Sequence, residues 1–144
     1  MERRKGMPDM RMEMSKKNKY YIDKDRKYEL IHFCRQYPKW KSALFDVEGW
    51  SVAPVEQTKI NTGNYIPDPV ARAAAIKKFY SDRINMIQKA AYESDPELCD
   101  YIIRGVCFDL PYDNLLLVYS IPCSRDTYYN RRAKFLWILD KLRG

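Results

Sequence analysis

Among 144 residues the chain has one histidine, five glycines and four cysteines, and each shortage removes a class of function. The single histidine, His32, would lie about 200° around a helix from Cys34. That pair reads as core or boundary residues rather than as a base and its nucleophile. No G-x-S-x-G, phosphate-cradling glycine loop or carboxylate pair is present, so catalysis is not expected and no cofactor is implied. Cys34, Cys99, Cys107 and Cys123 lack C-x-x-C spacing, which gives no zinc site. They are expected to remain reduced thiols. No apolar run reaches the roughly 18 residues of a membrane span. The first 19 residues hold no apolar signal-peptide stretch, and a cytoplasmic protein away from membranes is expected. Convincing strand alternation and internal repeats are also missing.

What remains is enough for a packed core: 46% hydrophobic and 14% aromatic residues, on a length that fits one domain with a tail. The formal charge of +7 is unevenly spread. Residues 1–41 carry 13 basic and 6 acidic side chains, residues 42–123 carry 7 and 11, and residues 124–144 carry 6 and 2. Positive ends around an acidic middle suit a partner with a phosphate backbone.

Residues 1–19 read as a flexible basic arm. Over 20–46, a helix from Asp23 carries Tyr28, Ile31 and Cys34. Tyr37-Pro38 interrupts it, and a shorter helix with Trp40, Leu44 and Phe45 follows. Residues 47–67 have no period and read as a long connecting loop. From 68 to 144 a further helical domain is expected. Asp68-Pro69 opens a long helix with a stripe of Ile76, Tyr80, Ile84, Ile87 and Ala91, running to about Glu93. Asp95-Pro96 repeats the start signal for a helix over Glu97 to Phe108. The fold class is therefore all-α, a helical bundle of about six helices.

The segment 112–142 has the form of a helix-turn-helix. Asp113 to Tyr119, with Leu115, Leu116, Leu117 and Val118 in succession, predicts a short helix buried on most sides. Pro122 stops it, and Ser124 stands as N-cap of a second helix, its hydroxyl placed to accept from Asp126 or Thr127. On that helix Tyr128, Phe135, Leu139 and Leu142 form an inward stripe, expected to pack on Leu115–Val118. Trp137 projects outward and is expected to find cover on the N-terminal helices or on a second subunit, with the contact inside the chain preferred. The N-terminal half of such a helix meets base edges, which selects Ser124, Arg125, Asp126, Thr127, Tyr129, Asn130 and Lys134. Arg125 has the fork for guanine and Asn130 the amide for adenine. Thr127 and Tyr129 suit phosphate or a thymine methyl. Arg131, Arg132 and Lys134 suit phosphate. Asp126 suits a cytosine amine or the helix dipole.

This carboxy-terminal third resembles the sigma-factor region 4-like helix-turn-helix of phage RinA/ArpU-type late-gene transcriptional activators. The resemblance runs from about Asp68, through Asp68-Pro69-Val70-Ala71-Arg72 to Ser124, Thr127, Tyr128, Tyr129 and Arg132. Pro122 and Cys123 depart from the family's simpler turn. It implies a phage or prophage regulator that binds double-stranded DNA at specific sequences and activates late genes with host RNA polymerase. Two alternatives share the same features. One is a DNA-packaging terminase small-subunit-like protein, with the long helix serving a homo-oligomer. The other is a small phage protein that binds a host or defence protein.

Overall fold

In the computed structural model, residues 16–50 and 68–144 are described. The chain's helix starts follow from short polar and proline signals. Asp23 accepts the N–H of Asp25 at 3.2 Å and opens α1, Lys24–Arg35. Pro38 has no N–H to return to Cys34, so α1 cannot run on. Gln36 closes it, and α2, Tyr37–Trp50, begins at once with Pro38 in its first turn. Asp68 accepts from Val70 at 3.0 Å, and α3, Pro69–Ser94, starts with Pro69 where a missing donor has no cost. Asp95 accepts from both Glu97 and Leu98, capping a preliminary turn. For that reason α4 spans only Cys99–Cys107 instead of starting at Glu97. The last two helices are α5, Tyr112–Tyr119, and α6, Arg125–Arg143. The fold is all-α, with six helical segments among the described residues, or five if α1 and α2 count as one helix broken at Gln36.

The centre of the packing is α3, against which α2, α4 and α6 all rest, while α1 closes the bundle on α4 and α6. Leu30, Ile87, Ile102, Tyr128, Phe135 and Leu139 are fully enclosed in one shared core. The segments 20–46 and 68–144 therefore both contribute to that core. Only the C-terminal half of the long stripe on α3 is buried, through Ile84, Ile87, Ala90 and Ala91. Ile76 and Tyr80 are half-buried, and the helix's first turns stand outside the core. At Gly105 the Tyr128 hydroxyl occupies the space a Cβ would need, so glycine is what lets α6 approach α4.

Two features differ from what the sequence implies. The first concerns α5, which is not buried on most sides: Leu117 is 82% and Val118 65% exposed, and Leu116 is also exposed. Only Tyr112 and Leu115, three residues apart, face the core. An eight-residue helix that touches its neighbour along one line leaves the rest of its surface to solvent. Correspondingly, the inward stripe of α6 packs chiefly on α3, with α1 and α4, rather than on Leu115–Val118. The second concerns the connecting loop, since 47–50 belong to α2. Residues 51–67, and 1–15 of the arm, lie outside the described residues.

Candidate nucleic-acid interface

The turn between α5 and α6 is fixed at several points. Ser120 takes the left-handed conformation with φ 54° and ends α5, its N–H donating to Leu116 at 3.2 Å. Ile121 buries its side chain, and its N–H reaches Leu115 at 3.2 Å. The Tyr112 hydroxyl donates to the Cys123 carbonyl at 2.5 Å, tying the start of α5 to the end of the turn. Ser124 then accepts the Thr127 N–H at 3.3 Å and donates to the Thr127 hydroxyl at 3.0 Å. The cap expected at Ser124 is present, and the direction in which α6 leaves the turn is set by side chains on both sides of it.

Of the residues selected from the sequence, Ser124, Asp126, Thr127 and Asn130 are exposed, with Lys134 partly so. On α6 the last four fall at i, i+1, i+4 and i+8, a narrow strip along one side of the helix. Arg125 borders it, half-exposed, with its guanidinium 2.6 Å from Asp113 and 5.4 Å from the Tyr112 ring centroid. Arg131 turns to the other side. Its Nε lies 3.3 Å from Asp95, and its carbonyl accepts from the buried Ser94 hydroxyl at 2.6 Å.

Tyr129 and Arg132 are placed differently from the sequence expectation, at 4% and 6% exposure. Tyr129 packs edge-on against Tyr128, and the Arg132 guanidinium stands 5.9 Å from the Tyr129 ring. A flat projection gave α6 one buried stripe. Helices α1, α3 and α4 all contact α6, and its buried arc is wide enough to take in both residues.

Chemically, the open strip offers an amide, a hydroxyl, an ammonium and one carboxylate at a capped helix start. Asn130 has the donor and acceptor for an adenine edge, and Thr127 a hydroxyl and methyl for phosphate or thymine. Asp126 complements the N-terminal dipole of α6. Exposed ion pairs such as Arg125–Asp113 contribute only about 0.2–1 kcal/mol, so Arg125 can exchange that partner for a phosphate or a guanine.

The far half of α6 is covered by the beginning of the described chain. Trp137, outward in projection, meets Tyr20 edge-on with ring centroids 5.4 Å apart. The segment before α1 thus supplies an intramolecular contact to this ring, which stays partly exposed. Arg26 donates to Asp140 at 2.6 Å, a bond that raises the arginine's pKa further. Sequence reasoning missed Tyr112, Gly105 and Tyr20 as determinants of this surface. Their effects come from contacts between helices, for which neither spacing nor a cap gives a signal.

Elsewhere, an open groove of about 480 Å³ lies between α2, α3 and α4, with Tyr37, Lys41, Gln88, Arg104 and Phe108 on its walls. Cys99 borders it, and burial, with Asp100 beside it, raises the thiol's pKa, which opposes a thiolate nucleophile. His32 is exposed and stacks on Tyr28, whereas Cys34 is buried. Cys107 is also buried, and desolvation pushes its pKa well up. Among the described residues no three His, Cys, Asp or Glu side chains gather as a metal site, and no helix is long and apolar enough to cross a membrane. No family model, curated protein or solved structure matches the chain.

Proposed function

We propose that this chain is a sequence-specific double-stranded DNA-binding transcriptional regulator whose α6 enters the major groove. The observation that carries the reading is the strip Asp126, Thr127, Asn130 and Lys134, open at the start of a capped helix. A short helix and a side-chain-locked turn precede it. Asn130 and Arg125 supply base contacts, Thr127 a phosphate or methyl contact, and Lys134 a phosphate contact. Ser124 holds the first turn. Arg131 supports the surface through Asp95, and Tyr129 and Arg132 support α6 from within. The likeness of this segment to phage late-gene activators extends the proposal to a phage or prophage protein that works with host RNA polymerase. The packaging alternative drew on the apolar stripe of α3 as an oligomer interface. Half of that stripe is engaged in the chain's own core, which favours the regulator.

Selection of bound duplexes from a randomised pool, followed by gel shift, tests the reading. An enriched motif is expected. Arg125→Ala combined with Asn130→Ala should abolish preference for that motif with an unchanged circular dichroism spectrum. Absence of any duplex binding by the unaltered chain at about 50 mM salt, where phosphate attraction is strong, would remove the DNA reading altogether.

A further inference from the structure

The charged segment just before α1 is docked on α6. The Asn18 side chain accepts the Tyr20 N–H at 2.9 Å, and its carbonyl accepts that of Tyr21 at 3.1 Å, folding the segment into a turn. Tyr20 then sets its ring on Trp137, and with Ile22 and Lys27 it lines a small recess against Ala133 and Leu136. The Lys19 ammonium stands 5.6 Å from the Tyr20 ring centroid, and that of Lys141 stands 3.3 Å from the Trp137 ring. Lys134 lies one turn before Trp137 on the same side of the helix. Lys16, Lys17 and Lys19 are all exposed. Behind the docked segment, Arg26 pairs with Glu29 and Asp140, and Arg143 with Glu29.

Distance along α6 gives this arrangement a meaning. Trp137 follows Asn130 by seven residues, about 10 Å of helix axis. The major groove is about 12 Å wide. With Asn130 against base edges, α6 near Trp137 therefore arrives at the wall of the groove, where the phosphates run. We propose that residues 16–20, held by Tyr20 on Trp137 and joined by Lys134 and Lys141, form a second DNA contact. It is a clamp on the phosphate backbone beside the groove that α6 reads. This rests on the DNA-binding reading above and adds to it a site outside the helix-turn-helix. The clamp contributes affinity and salt dependence without base preference.

Fluorescence anisotropy with a labelled mixed-sequence duplex of about 30 base pairs, across a salt series, reads the clamp directly. Lys16→Gln with Lys19→Gln should make the slope of log K against log salt shallower by about 2, with base preference unchanged. Tyr20→Ala keeps every lysine but removes the docking ring, and it should weaken duplex binding in the same direction. Tyr20→Phe should restore it. Lys77→Gln with Lys78→Gln on α3 removes equal charge elsewhere and should leave the slope as it was. A wild-type slope in the Lys16/Lys19 variant, alongside impaired preference in Asn130→Ala, would overturn the clamp and leave the DNA reading standing. A shallower slope without any effect of Tyr20→Ala would overturn the docking. If the unaltered chain binds no duplex at about 50 mM salt, both proposals fall together. Thermal melts of each variant separate these outcomes from loss of fold.

Discussion

Gly105 and Tyr128 show how one residue's absence of a side chain sets the position of a helix. The Tyr128 ring lies in the core, tilted against Tyr112 at 5.9 Å between centroids, and its hydroxyl fills the place of a Cβ at Gly105. Gly105→Ala should therefore cost about 1–3 kcal/mol through overpacking, read from the urea midpoint. In a Tyr128→Phe background the same substitution should cost less by about 1 kcal/mol, because the nearest atom it meets is gone while the ring carbon behind it remains. Equal costs in the two backgrounds would mean that α4, not Tyr128, gives way. None of this was legible from spacing. Gly105 sits inside an apolar helical pattern like any tolerated glycine, and Tyr128 reads as one more member of a stripe. The Tyr112 hydroxyl, which ties the turn at Cys123, was equally silent.

Helix ends were the legible part at the scale of elements. Asp23, Asp68 and Ser124 are local signals, and all three cap the helices expected of them. Ser124→Ala should lower stability by about 1 kcal/mol, measured by chemical denaturation. Ser124→Asp should retain most of it, since a carboxylate accepts the same N–H and favours the helix dipole. If both variants lose equally, the hydroxyl's bond to the Thr127 side chain matters more than the cap. Helix faces were less legible, because burial depends on how many neighbours arrive. Four apolar residues in a row on α5 suggested a buried helix, yet its partner contacts follow the line of Tyr112 and Leu115. On α6 the reverse holds. Tyr129 and Arg132 suited an outward role by residue type, yet both are buried on a helix that α1, α3 and α4 contact. The candidate strip is thus narrower than the sequence implied and still contains Asp126, Thr127, Asn130 and Lys134.

At the scale of the whole molecule, α6 serves both as the proposed reading helix and as a wall of the core. Phe135, Leu136 and Leu139 are buried against the same helices that hold Leu30 and Ile87. A chain ended after Cys123 should lose far more helical circular dichroism than the 19 residues of α6 account for. A loss limited to that share would show that the other helices hold a core among themselves. The Arg26–Asp140 bond spans 114 positions, so α1 meets a partner made long after it. At about 5–20 residues per second, a ribosome needs roughly 6–23 s to cover that stretch. During that interval the face of α1 that α6 will cover has no lid. A nascent chain halted at that stage should therefore be captured by partners that bind unshielded apolar helices, and released once α6 has followed.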